Sequence, residues 1–91
     1  MINGDCVIWN SVRGMKLSSR SYYNNLIPSG VNIHTKASFI AFVPHDVDEP
    51  LFLGLYNYSQ VISTDLGRFF IADNLKEQIN EKVREQSQQA A

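Results

Sequence analysis

The side chains closest to a metal-binding arrangement lie in the polar loop between Pro44 and Pro50. This loop contains His45, Asp46, Asp48 and Glu49. Imidazole nitrogens and carboxylate oxygens can coordinate cations, but a calcium-binding loop also needs a central glycine and a distant bidentate carboxylate. The loop has neither, so we predict a solvated acidic turn and no metal site.

Nucleophilic catalysis is not indicated by the residue types in this chain. It requires a nucleophile, a base and an orienting acid within hydrogen-bonding reach of one another. The sequence contains two histidines and one cysteine, Cys6, at spacings that suggest no such set. It also has no glycine-rich phosphate loop. We therefore predict a protein without enzymatic activity or cofactor, and a buried structural role for Cys6.

Charge is distributed unevenly along the chain, although the formal net charge is only −1. Residues 1–45 carry four cationic side chains and one acidic one, whereas residues 46–91 carry four cationic and eight acidic ones. No acidic residue occurs between Asp5 and Asp46. A surface with cations and no neighbouring carboxylates attracts phosphate groups or an acidic protein patch.

A cationic and tyrosine-bearing segment near the front of the chain is the candidate binding surface. Residues 15–23 alternate with period two, which predicts an edge strand with Lys16, Arg20 and Tyr22 on one face. The predicted partner-binding residues are Arg13, Lys16, Arg20, Tyr22, Tyr23, Lys36, Tyr56 and Tyr58. Surface tyrosines are enriched at protein interfaces. Basic groups interleaved with aromatic rings also occur in nucleic-acid-binding barrels.

The remaining segments predict a body made mainly of β-strands. Residues 5–10 are rich in β-favouring side chains, and residues 31–43 alternate before becoming apolar on both faces. Residues 51–58 resume an apolar strand, which predicts a hairpin with 31–43. Residues 61–63 and 68–72 flank a short turn that ends in glycine, so they predict a second hairpin.

One apolar stripe predicts a C-terminal helix over residues 74–86. Leu75, Ile79 and Val83 recur every fourth residue, and Asn74 is a favourable N-cap. The stripe is narrow, so we expect the helix to lie at the rim of a sheet.

Together these elements predict one domain over residues 1–91, with a β-rich body over 5–72, the helix, and a frayed tail over 87–91. The fold class is mainly β: a small curved antiparallel sheet or a partly open SH3/OB-like barrel of five or six strands. The single predicted core contains Trp9, Phe39, Phe42, Phe52, Phe69 and Phe70.

The start of the chain resembles the first hairpin of small SH3-like barrels. The resemblance lies in Gly4-Asp5-Cys6-Val7-Ile8-Trp9 followed by Arg13-Gly14. Such barrels include toxin ribonucleases of the PemK type and KOW-type RNA-binding modules. In the toxin family an arginine after this strand belongs to the catalytic site, so the resemblance implies a role of that kind for Arg13.

The leading functional hypothesis is a small non-enzymatic interaction protein that binds a protein partner or a second copy of itself. Compact chains of this kind include virus-encoded inhibitors and structural subunits. The alternatives are a single-stranded nucleic-acid-binding barrel and, more weakly, a compact ribonuclease built around Arg13. A sequence pI near 6.0 argues against a dedicated nucleic-acid binder. The lack of a long apolar run or signal peptide predicts a cytoplasmic protein with no membrane partner.

Overall fold

Five strands and three helices make up the part of the chain that the structure describes. The computed structural model describes residues 5–27 and 39–89, except for the side chains of Arg20 and of residues 87–89. In chain order the elements are β1 (Asp5–Ile8), β2 (Lys16–Ser18), α1 (Arg20–Leu26), β3 (Phe39–Pro44), α2 (Glu49–Leu55), β4 (Gln60–Ser63), β5 (Gly67–Ile71) and α3 (Leu75–Gln89). The first half of the predicted strand 31–43 lies outside the described residues.

The strands form one mixed sheet in the order β2-β1-β3-β5-β4. β1 runs parallel to β3, with Val7 opposite Ala41, whereas the other neighbouring strands are antiparallel. The prediction of five or six strands followed by a C-terminal helix is confirmed, with five strands among the described residues, and so is the β4–β5 hairpin. The prediction of an entirely antiparallel sheet is wrong, because the chain passes through β2 and α1 before it returns beside β1. Within the described residues the sheet is not closed, since β2 and β4 are its two ends.

Helices cover both faces of the sheet, so the apolar interior consists of two clusters. The face covered by α2 and α3, here called the α2–α3 face, buries Val7, Trp9, Val12, Phe39, Ala41, Val43, Phe52, Tyr56, Phe70, Ala72, Leu75 and Ile79. The face covered by α1, here called the α1 face, buries Cys6, Tyr23, Ile40, Phe42, Ile62, Phe69 and Ile71. All six predicted core aromatics are buried, but the prediction of a single core is wrong.

α1 replaces the second half of the predicted strand 15–23. Ser19 is its N-cap, with an extended backbone and a side-chain oxygen that accepts from the Ser21 N–H at 3.2 Å. Such a cap satisfies one of the N–H groups that the first turn of a helix leaves unpaired. β2 therefore ends at Ser18, and the chain turns onto the α1 face.

α2 replaces the predicted strand 51–58. Pro50 lies in the first turn, where the missing N–H would have no helical partner. The indole Nε1–H of Trp9 donates to the Asp48 carbonyl at 3.2 Å. Phe52 and Tyr56, one helical turn apart, place their ring centroids 5.3 and 5.7 Å from that of Trp9. Burial of these rings on the α2–α3 face holds the helix in place.

α3 confirms the predicted C-terminal helix and extends it by three residues. Leu75 and Ile79 are buried on the α2–α3 face, and Val83 is partly exposed as the stripe leaves the sheet. The backbone stays helical as far as Gln89, so the predicted end at residue 86 is wrong. In residues 5–27 and 39–89 no helix has the length and apolar character needed to cross a membrane.

Candidate functional site

The predicted cationic and tyrosine-bearing strand face does not exist in the fold. Lys16 lies on β2 with an exposed side chain and, opposite Ile8 in the register, on the α1 face. Arg20 is the first residue of α1, and Tyr22 follows it on the same helix, 51% exposed. The prediction that one strand aligns these three residues is therefore wrong, because the backbone becomes helical after Ser19.

Arg13 reaches the C-terminal part of α3. Its Nη2–H donates to the Gln86 carbonyl at 2.9 Å, which ties the loop between β1 and β2 to the helix. Cationic groups near a helix C-terminus interact favourably with its unpaired carbonyls. The guanidinium thus has a structural partner within the chain. Lys36, another predicted partner-binding residue, lies outside the described residues.

Tyr23 is a core residue, so its prediction as a surface binding residue is wrong. It is fully buried on the α1 face, with its ring centroid 5.8 Å from that of Phe42 and 5.5 Å from that of Phe69. Burial raises the pKa of Tyr23 to about 12, against a smaller opposing effect of the Ser18 hydroxyl. This phenol therefore remains neutral near pH 7.

The last two predicted tyrosines, Tyr56 and Tyr58, have different environments. Tyr56 is buried beside Trp9, and burial raises its pKa to about 12. Its prediction as a binding residue is therefore wrong as well. Tyr58 is 43% exposed and packs one side of its ring against Phe70, with centroids 4.9 Å apart. Tyr58 thus offers an anchored aromatic surface to solvent.

The polar loop after β3 uses its side chains in contacts within the chain. His45 Nε2–H donates to the Thr64 carbonyl at 3.1 Å. Glu49 is only 20% exposed and pairs with Arg68, with 3.1 Å between Oε1 and Nη1. Among residues 5–27 and 39–89, no three His, Cys, Asp or Glu side chains are grouped to hold a metal ion. Glu49 therefore belongs to an ion pair, and the predicted acidic turn is only partly solvated.

The outer side of β4 has no strand partner in the part of the chain that the structure describes. β4 pairs with β5 on one side and ends the sheet on the other. Residues 57–64, which contain β4 and its flanks, include no charged side chain. Val61 is 42% exposed on the α2–α3 face, in register with Phe70. We call this surface of residues 57–64 the β4 edge.

The hydrogen-bond pattern identifies the backbone groups of the β4 edge that face away from β5. The Thr64 N–H donates to the Gly67 carbonyl at 2.7 Å, so these residues form a hydrogen-bonded pair. Bonded and non-bonded pairs alternate along an antiparallel ladder. Ile62 therefore directs its N–H and C=O toward β5, whereas Val61 and Ser63 direct theirs outward. Two N–H donors and two C=O acceptors therefore lie in the plane of the sheet and face away from β5.

The two end strands differ in how they are protected. Open strand edges in natural proteins usually carry a charge, a proline or a bulge that discourages pairing with other chains. β2 is three residues long and begins with Lys16, which fits this pattern. β4 has four residues and none of them is charged or proline. Of these two ends of the sheet, β4 is the one suited to pairing.

Both flanks of β4 are fixed by hydrogen bonds. The Thr64 hydroxyl donates to the Gly67 carbonyl at 2.9 Å and accepts from the Leu66 and Gly67 N–H groups. At the other flank, the Asn57 N–H donates to Gln78 Oε1 at 2.8 Å, and Gln78 Nε2 donates to the Asn57 carbonyl at 3.1 Å. A rigid edge loses little conformational entropy when it binds.

A cavity lies at each end of β4. The larger has a volume of about 550 Å³ and lies between the end of α1 and the β4–β5 turn, where Leu26, Ile27, Ser63 and Leu66 contribute to its lining. The smaller has a volume of about 250 Å³, with Tyr58, Ser59, Ala72 and Asn74 among its lining residues. A strand added to the β4 edge would pass between the two and could place side chains in them.

Sequence reasoning missed the β4 edge because sheet order decides which strand has an open side. The uncharged run 57–64 was a visible signal, but similar runs occur elsewhere, as in β3, which lies in the middle of the sheet. Of the eight predicted binding residues, Tyr58 alone belongs to this surface. Comparisons with protein-family models, with curated protein sequences and with solved structures found no match to this chain.

Proposed function

We propose that this chain is a small non-enzymatic interaction protein that binds an extended protein segment along the β4 edge. The observation that supports this best is the outer side of β4, an uncharged end strand that has no second strand partner among residues 5–27 and 39–89, with the backbone groups of Val61 and Ser63 directed outward. In such strand addition, main-chain hydrogen bonds supply affinity and pockets for alternate side chains supply selectivity. This surface replaces the predicted face around Lys16 and Arg20.

The surroundings of the β4 edge support binding rather than catalysis. Its polar groups are backbone amides, the side-chain amides of Asn57 and Gln60, the hydroxyls of Ser59, Ser63 and Thr64, and the phenol of Tyr58. Catalytic groups are commonly activated by pKa values shifted toward neutrality. The two tyrosines with shifted pKa values, Tyr23 and Tyr56, are shifted away from neutrality, to about 12, and lie in the core.

Site-specific photocrosslinking in the cells that produce the protein tests this function. With a benzoylphenylalanine replacing Val61, irradiation is expected to give covalent adducts because this side chain lies beside the bound strand. Mass spectrometry should map the crosslink to one extended segment of the bound protein. The matched control places the same group at Leu17, which is 70% exposed on β2.

A second substitution makes this result specific for strand pairing. Ser63→Pro removes an outward N–H and leaves the bonds toward β5 intact, so the adducts from position 61 should disappear. Equal adducts from positions 61 and 17, persistence of the adducts with Ser63→Pro, or no adduct from position 61 would each contradict the proposed function.

A further inference from the structure

We infer that the strand bound at the β4 edge is β4 of a second copy, so that the five described strands of each copy join into one continuous sheet. This inference rests on the proposed function and specifies its partner. The two strands run antiparallel about a two-fold axis that passes beside Ile62, perpendicular to the sheet. Symmetric pairing of identical surfaces is the commonest arrangement in protein dimers.

The spacing of the outward groups selects the register of this pairing. Val61 and Ser63 are two residues apart, so Val61 of one copy can exchange both of its hydrogen bonds with Ser63 of the other. The two-fold axis repeats this exchange, which gives four N–H···O bonds. Centring the pair on Val61 would instead place Ser63 opposite Ser59, whose N–H already donates to the Ile71 carbonyl at 2.7 Å.

The side chains fit this register on both faces of the sheet. On the α1 face, Ile62 would lie next to Ile62 of the second copy. This contact joins the α1-face cluster of one copy, which contains Phe69, to the same cluster of the other copy. On the α2–α3 face, Val61 would lie between Phe70 of its own chain and Ser63 of the other. The pairing therefore covers the exposed part of Val61 and gives every outward backbone group a partner.

The lack of charge on the β4 edge favours an identical partner. A two-fold axis brings like residues close to one another, and like charges opposite each other in neighbouring strands are destabilising. No charged residue occurs within residues 57–64, so two copies can approach without repulsion at the axis.

The seam is short, which determines the strength of the dimer. With four main-chain hydrogen bonds and a few side chains, we expect the interface to bury less than the roughly 1,200 Å² typical of stable interfaces. Because Thr64 and Gln78 already fix the ends of β4, association orders little additional chain. We therefore expect a reversible dimer that forms as the protein is concentrated.

Sedimentation velocity over a range of concentrations tests this inference. The unaltered protein should shift from monomer to dimer as concentration rises. Val61→Lys places two charges near the axis and should weaken association by at least about tenfold. Leu17→Lys introduces the same charge at an exposed position of β2, the other end strand, and should leave the association unchanged. Circular dichroism of each variant checks that the fold is retained.

Several outcomes would overturn the inference. They are a monomer at the highest concentration, dimerisation that Val61→Lys leaves intact, and dimerisation that Leu17→Lys weakens as strongly. If Val61→Lys does not fold, Ser63→Pro provides the same test through the backbone. A monomer whose position 61 crosslinks to a foreign strand overturns the second-copy inference and leaves the proposed function standing. A monomer with no crosslink at position 61 contradicts both.

Discussion

Replacing Trp9 with alanine is expected to destabilise the fold by about 3–5 kcal/mol, the usual cost of truncating a fully buried large aromatic side chain. Trp9 is completely buried and packs edge-on against both Phe52 and Tyr56. It also connects β1 to the start of α2 through the bond from Nε1 to the Asp48 carbonyl. Small domains are stable by only about 5–15 kcal/mol, so this loss is a large fraction of the total. Urea unfolding monitored by circular dichroism measures it.

Trp9→Phe is the matched control for this prediction. Phenylalanine keeps an aromatic ring against α2 but loses the hydrogen bond, so its cost should be clearly smaller than that of alanine. Equal losses for the two variants would show that the packing against Phe52 and Tyr56 does not hold α2 on the sheet. A Trp9→Ala protein of unchanged stability would contradict the assigned core.

Gly67→Ala is expected to destabilise the protein by about 3 kcal/mol, the upper part of the range for overpacking. A Cβ atom at Gly67 would lie 2.8 Å from Pro44 Cα and 2.8 Å from Phe42 Cζ, and it would also collide with the Val43 carbonyl oxygen. Two of these obstacles are backbone atoms of the neighbouring strand β3, which cannot move without disturbing the sheet. Thermal or urea unfolding measures the loss.

Gly54→Ala is the corresponding control. A Cβ at Gly54 meets no atom within 4 Å, and this residue lies within α2. Alanine is favoured over glycine in helices by about 0.8–1.0 kcal/mol, so Gly54→Ala should raise stability slightly. A Gly67→Ala protein as stable as the Gly54→Ala protein would contradict the close approach of β3 and β5.

The elements that sequence reasoning predicted correctly have signals contained within the element itself. The β4–β5 hairpin follows from two short strands around a turn, and α3 follows from Leu75, Ile79 and Val83 at helical spacing. β1 and β3 are runs of β-favouring residues that pack on both sides. In these segments the local pattern and the tertiary environment favour the same structure.

The two helices that were predicted as strands show where local patterns are ambiguous. The alternation over 15–23 continues across Ser19, yet Ser19 caps α1 and ends the strand pattern. Phe52 and Tyr56 fit an apolar strand by composition, but their four-residue spacing also fits one face of a helix. Short apolar runs do not distinguish the two structures, and the packing against Trp9 decides in favour of the helix.

The candidate site depends on topology, which explains why it was not predicted from sequence. Parallel pairing of β1 with β3 fixes the sheet order and leaves β4 at one end. Tyr58 was identified from its type alone, whereas the roles of Val61 and Ser63 depend on the direction of their backbone groups. That direction follows from the β4–β5 register and has no local sequence signal.

Amide hydrogen exchange at individual residues of β4, measured by NMR in dilute and in concentrated protein, tests the central claim most directly. In dilute protein the Val61 and Ser63 amides should exchange rapidly, while the Ile62 amide, bonded toward β5, should be protected. On concentration, exchange at Val61 and Ser63 should slow markedly as a second copy pairs with them. Val61 and Ser63 amides that are already protected in the dilute monomer, or that exchange equally fast at both concentrations, would contradict the account.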